Sequence, residues 1–139
     1  MLDGVSVYGK LGAAMPFVDY TTSRMWSEAR ALTVAVYGVS NRFPSHECYG
    51  LRSQVRRAAV SVMANIAEGM GRNTNRDTIQ FLFIARGSAH EVMCHCLIAS
   101  DLGYGISDDL MSLVQRYKGL AAGIMACAKR MSPQRTQTA

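Results

Sequence analysis

The three prolines of this chain, Pro16, Pro44 and Pro133, leave two long stretches without any. Proline removes a backbone donor and clashes with the preceding turn, so its absence over such lengths is what helices require. Between the prolines, apolar residues recur at helical steps rather than in strand-like alternation. Met25, Ala29, Leu32, Val36 and Val39 follow one another at four, three, four and three residues. That is one apolar stripe, and it predicts a helix from about Thr22 to Arg42. Phe43-Pro44 ends it, because proline restricts the residue before it.

A second helix is expected after a Ser45 N-cap, periodic from Leu51 with Val55, Ala58, Val62 and Ile66 on one face until Gly69 and Gly71. Thr74 followed three residues later by Asp77 resembles a capping box and opens a third helix. That helix carries Ile79, Leu82, Phe83, Ala89, Met93 and Leu97 and stops at Gly103-Tyr104-Gly105. Gly87 lies inside it, where glycine costs about 1 kcal/mol relative to alanine, so Gly87-Ser88 reads as a point of close helix contact. Ser107, Asp108 and Asp109 supply the cap and acidic first turn of a fourth helix. It runs through Leu110, Leu113, Val114, Tyr117, Ala121, Ile124 and Ala128 to Lys129 and Arg130, cations favourable at a helix C-terminus.

Four helices with short connections predict an all-α, up-down-up-down four-helix bundle over residues 19–131. Residues 1–18 contain Gly4, Gly9, Gly12 and Pro16 with no period and are expected to be a weakly structured leader. Residues 132–139 are expected to be a frayed tail. At 139 residues and 49% hydrophobic, the chain suits one core and not two. No apolar run reaches the roughly 18 residues a bilayer span needs, and the N-terminus lacks the basic start and apolar block of a secretory signal. The expected compartment is the cytoplasm, where Cys48, Cys94, Cys96 and Cys127 read as reduced, core-type thiols.

Specific blocks then occur in order: Phe43-Pro44, Tyr49-Gly50-Leu51, Gln54-Val55-Arg56-Arg57-Ala58 and Asn65-Ile66-Ala67-Glu68-Gly69. Ile84-Ala85-Arg86-Gly87-Ser88 and Leu102-Gly103-Tyr104 follow. Together they resemble the 23S rRNA intervening-sequence proteins, over about Trp26 to Met131. That family is related in fold to the accessory variability determinant of diversity-generating retroelements. The resemblance implies a cytosolic four-helix bundle that assembles as a ring-like homopentamer. Its retroelement relatives bind nucleic acid and associate with a reverse transcriptase. Two departures stand out: the family's Ser-Ile-Pro-Ala-Asn reads here as Ser61-Val62-Met63-Ala64-Asn65, and its Glu-Leu-Glu after Gly-Ser reads within His90-Glu91-Val92-Met93.

Two groups of polar residues are candidate sites. Arg57, Ser61, Asn65 and Glu68 are spaced to form one stripe beside the apolar face of the second helix. In an antiparallel pairing through the Asn73 turn, Arg57 is expected to face Glu91, and Ser61 to face Arg86 and Gly87. Arg57, Ser61, Asn65, Glu68, Arg86, Ser88 and Glu91 are therefore expected to form a structural, register-setting polar network. The second group is cationic. The chain carries a net charge of +5, and from Arg42 to Arg86 there are seven arginines against three carboxylates. Arg42, Arg52, Arg56, Arg72 and Arg76 are the candidate nucleic-acid contacts, since the guanidinium fork donates two hydrogen bonds to a phosphate. No aromatic residue interleaves that cluster, which favours the backbone of structured RNA over stacking on single-stranded bases.

No metal, cofactor or catalytic residue is expected. Cys94 and Cys96 are separated by about 200° around a helix and do not ligate from one face. No nucleophile elbow or phosphate-cradling loop is present. Trp26, Tyr37, Tyr49 and Tyr104 are candidate interface anchors or core aromatics. The sequence thus reads as a non-enzymatic oligomer that binds nucleic acid, with an adaptor docking a partner enzyme such as a reverse transcriptase as the alternative.

Overall fold

The computed structural model describes residues 19–133. Within them lie four α-helices, α1 (Arg24–Ser40), α2 (Leu51–Met70), α3 (Asn75–Asp101) and α4 (Ser107–Met131), with short 3-10 turns at Tyr20–Thr22 and Ser45–Glu47. No strand occurs among the described residues. Each helix packs on the next in sequence and α4 closes back on α1, so the chain is a four-helix bundle with four seams. The expectations for residues 1–18 and 134–139 lie outside the described residues.

The core is built from the stripes that periodicity marks out in three of the helices. Ala29, Leu32 and Val36 of α1, Val55, Ala58, Val62 and Ile66 of α2, and Leu110, Leu113, Tyr117, Ile124 and Ala128 of α4 are buried. The third helix departs from expectation. Its buried residues are Thr78, Leu82, Ala85, Ala89, Val92, Cys96 and Ala99, alternating steps of four and three as a bundle seam requires. Most of them are small, whereas Phe83 and Leu97, expected inside, are 48% and 45% exposed. Each sits one residue beyond a seam position, and one residue is about 100° of rotation on a helix.

Of the expected helix caps, Thr74 is observed, whereas Ser45 and Ser107 are not the N-caps of α2 and α4. Ser23 caps α1, its Oγ accepting from the Trp26 N–H at 3.3 Å. Ser45 opens a 3-10 turn instead of capping α2, and the Leu51 N–H donates to Glu47 Oε2 at 2.6 Å. A carboxylate four residues upstream therefore satisfies an otherwise orphaned donor. Thr74 caps α3 as expected, accepting from the Asp77 N–H at 3.2 Å. Ser107 is the first residue of α4, and its hydroxyl lies 3.0 Å from that of Ser100 across the connecting turn. That turn holds Gly103 and Gly105 at φ of 73° and 65°, left-handed values that glycine adopts without a Cβ penalty.

Gly87 does not draw helices together: it is exposed, and a side chain there would meet nothing within 4 Å. The close approach is at Gly69, where a Cβ would fall 2.9 Å from Phe81 Cβ and 3.2 Å from the Thr78 carbonyl oxygen. The cysteines also divide. Cys96 is buried and Cys127 half-buried, but Cys48 and Cys94 are exposed free thiols rather than core residues. No helix among the described residues is long and apolar enough to cross a membrane.

Candidate nucleic-acid interface

Arg52 and Arg56 stand one turn apart on α2 facing the end of α1, and Arg57, about 100° further round the helix, is exposed beside them. With Tyr37, Ser53 and Ser61 they line an open cavity of about 600 Å³, and no carboxylate among the described residues lines it. The three arginines are not equivalent. Arg52 donates through Nη2 to the Phe43 carbonyl at 2.7 Å, while its Nε is buried without a partner. Arg56 donates through Nε to Ser40 Oγ and through Nη2 to Asn41 Oδ1, both at 2.8 Å. Its guanidinium also lies 4.6 Å from the centre of the Tyr37 ring. Arg57 is exposed and in no ion pair among the described residues.

Arg52 and Arg56 thus fasten the start of α2 to the end of α1, and Arg57 is left uncommitted. The buried Arg52 Nε–H faces the protein rather than solvent, so the N–H groups open to a phosphate are those of Arg57 and the outer edge of Arg56. The fold also supplies the aromatic that the sequence spacing did not show. Tyr37 comes from another helix, is 44% exposed, and lies against the arginine cluster.

The remaining arginines do not extend this surface. Arg42 is exposed at the end of α1 and lines a separate hollow with Asp109. Arg72 and Arg76 sit at the opposite end of the bundle, beyond the last turn of α2. Arg72 is paired with Glu68 at 2.6 Å and lies 4.4 Å from the Phe81 ring, so it is not a free cation. The five candidate contacts therefore fall into at least two regions, of which the α1–α2 seam is the concentrated one.

Of the expected polar network, the structure joins three members. Ser61 Oγ lies 2.8 Å from Ser88 Oγ, and Asn65 Nδ2 donates to the Ser61 carbonyl at 2.8 Å and to Ser61 Oγ at 3.0 Å. Arg57 does not meet Glu91, which lies 3.3 Å from His95 instead, and Glu68 pairs with Arg72. Arg86 does not face Ser61. Ser88 does, and two residues on a helix are about 200° apart, so Arg86 turns toward α4.

That rotation produces a feature the sequence reading missed. Arg86, His90, Lys118 and Lys129 line a hollow of about 420 Å³ between α3 and α4, again without a carboxylate among its described lining. Lys118 and Lys129 lie eleven residues apart, three helical turns, so both fall on one side of α4. Their spacing was the available signal. Among the described residues, no three His, Cys, Asp or Glu side chains converge as a metal site requires.

Residues 21–126 match the family described as 23S rRNA-intervening sequence protein. Among solved structures, one similar chain is a protein of unknown function from the S23 ribosomal protein family of Bacteroides thetaiotaomicron. It is 19% identical, with a TM-score of 0.69, covering 76% of this chain and 98% of that chain. At that identity the likeness is one of fold. No match was found among curated proteins.

Proposed function

The chain belongs to the 23S rRNA-intervening sequence protein family, and from that footing we propose a cytoplasmic, non-enzymatic, self-associating bundle that binds structured RNA through its α1–α2 seam. The observation that carries the reading is the cavity of Arg52, Arg56 and Arg57, with no carboxylate in its described lining. Three guanidinium groups on one helix suit phosphate oxygens, which position a protein on nucleic acid without reading its sequence. Tyr37 already has Arg56 against its ring, so backbone contact leads and base stacking is secondary.

Self-association as a homopentamer, which the resemblance implies, is supported by the outward face of α3. Phe83, Ile84, Leu97 and Ile98 are large, apolar and exposed on α3, and Leu102 is so just past its end. A run of such residues on one helix marks an interaction surface more often than solitary exposed side chains do. Repeating the arginine seam around an assembly multiplies its field toward a polyanion.

Mobility shifts with a structured RNA over a series of salt concentrations test the reading. Affinity should fall steeply with salt, and Arg57→Ala should lower the salt slope by about one for each phosphate contact removed. The absence of binding at low salt rejects it, as does binding indifferent to both Arg52→Ala and Arg57→Ala. A chain that binds no RNA yet is held through α3 by a protein such as a reverse transcriptase is an adaptor instead.

A further inference from the structure

A cavity of about 790 Å³ opens at the end of the bundle where α1 and α3 begin and α2 and α4 end. It shares no residue with the α1–α2 seam. Met25, Met70, Leu82, Leu120 and Met131 give it an apolar lining. The volume lies in the range of small-molecule sites, and methionines adapt their shape to what they contact.

Two observations say what fits. Gly119 and Gly123 stand one turn apart on the cavity side of α4, and a side chain at either would meet nothing within 4 Å among the described residues. No described neighbour requires glycine at these helix-interior positions, where glycine weakens a helix. The effect of their bareness is a straight trough along α4, whose lining residues run from Arg116 to Arg130, about 21 Å of helix.

The charge is graded along this trough. At one end Arg116 is paired with Glu28 at 3.3 Å, both side chains partly exposed. At the mouth stand Arg24, the first residue of α1, Arg72 in the α2–α3 turn, and Arg130 near the end of α4. Arg72 is neutralised by Glu68, whereas Arg24 and Arg130 are exposed and in no ion pair among the described residues. The groove is therefore apolar along its middle, electrically balanced at its Arg116 end and cationic at the end of Arg24 and Arg130.

We propose that this cavity binds an amphiphile with one straight acyl chain and one anionic head group. The chain lies in the Gly119–Gly123 trough, and Arg24 and Arg130 hold the head. The site is independent of the RNA reading, because the two cavities have no residue in common.

The test titrates sodium dodecanoate and dodecyl phosphate, each below its micelle concentration, into the full-length protein. Calorimetry and the fluorescence of Trp26, the single tryptophan and the neighbour of Met25, follow binding. Saturable binding of one anionic amphiphile per chain is expected, with none of dodecyltrimethylammonium. The tighter of the two anions identifies a carboxylate or a phosphate as the head. Gly119→Leu and Gly123→Leu should each abolish binding with helical circular dichroism intact, and Arg24→Ala with Arg130→Ala should weaken it about tenfold. Equal binding of the cationic amphiphile, or binding indifferent to both glycine variants, overturns the proposal. So does binding that emerges only after residues 1–18 are removed, which assigns the trough to the chain's own leader. A change of molar mass in either glycine variant also overturns it, assigning the trough to a second copy.

Discussion

Two adjacent arginines should differ in what the same substitution does to stability. Arg56→Met keeps an apolar stem and removes the Nε–H donated to Ser40 Oγ, the Nη2–H donated to Asn41 Oδ1, and the cation over Tyr37. Ser40 is fully buried, although its own hydroxyl still donates to the Tyr37 carbonyl at 3.2 Å. A hydrogen bond from a charged donor contributes about 1.5 kcal/mol at the low end of its range, appropriate to the half-buried Ser40 contact. The solvent-facing Asn41 contact and the exposed cation–π contact contribute about 0.5 kcal/mol each. The loss is therefore about 2.5 kcal/mol. Arg57→Met removes no described ion pair from an exposed position and should change stability by less than about 0.5 kcal/mol. Urea unfolding followed by circular dichroism measures both. With a slope of about 2 kcal/mol per molar, the Arg56 midpoint falls by about 1 M and the Arg57 midpoint stays in place. Mobility shifts should show both variants losing RNA affinity. Equal midpoints for the two variants would refute the division between a fastening and an uncommitted arginine.

Other positions carry equally direct expectations. The Tyr117 hydroxyl is buried and closes no hydrogen bond, and the nearby Thr33 hydroxyl already donates to the Ala29 carbonyl at 2.8 Å. Tyr117→Phe should therefore raise stability by about 1 kcal/mol in calorimetry, and a loss of that size would show that the hydroxyl is bonded after all. Burial pushes the Cys96 thiol up from 9.0 to about 11. With the folded value above the unfolded one, its contribution is intact below pH 9 and is lost as pH rises toward 11. The loss is at most about 2.7 kcal/mol. Cys96→Ala should flatten that part of the stability profile, and an unchanged alkaline slope would remove the thiol from the account. Burial raises Tyr117 in the same direction, so a residual alkaline loss persists in Cys96→Ala. In a double-mutant cycle, Ser61→Ala and Ser88→Ala should couple by about 1 kcal/mol, and strict additivity would show that their 2.8 Å contact contributes nothing.

The helices were legible where bulky side chains repeat and obscure where they do not. In α1, α2 and α4 the residues of the periodic apolar stripes are buried or half-buried, with Val34 and Val60 lying off them, so periodicity and burial coincide. In α3 the seam is mostly small residues, with Phe83, Ile84, Leu97 and Ile98 outside it, so hydropathy contrast points to the wrong face. The site was legible in part for a similar reason. A spacing of four residues places Arg52 and Arg56 together on α2, but it does not reveal what each arginine already holds. Their acceptors come from Phe43, Ser40 and Asn41, nine to sixteen residues away. The Glu68–Arg72 pair was readable at i,i+4 spacing, and it withdraws Arg72 from the surface. A count of arginines therefore overstates the cation that is free.

The order of the seams determines whether self-association would help or obstruct an RNA contact. Because the helices pack in chain order around a closed ring, the α1–α2 and α3–α4 seams lie on opposite sides of the bundle. The exposed Phe83, Leu97 and Ile98 of α3 lie on its outward face, away from the α1–α2 seam. Copies meeting through α3 would cover Ile98 and its neighbours and leave Arg52, Arg56 and Arg57 facing solvent on the far side of every subunit. One RNA touching several such seams gains avidity from linked contacts rather than from any new one. Ile98→Asp, at an exposed position that the core does not need, should therefore disperse the assembly in sedimentation. It should also weaken RNA binding without altering an arginine. Arg57→Ala should do the reverse, weakening binding while the molar mass stays fixed. A dispersed Ile98→Asp chain that holds RNA as tightly as the wild type would mean that one seam is the whole site and that repeating it adds nothing.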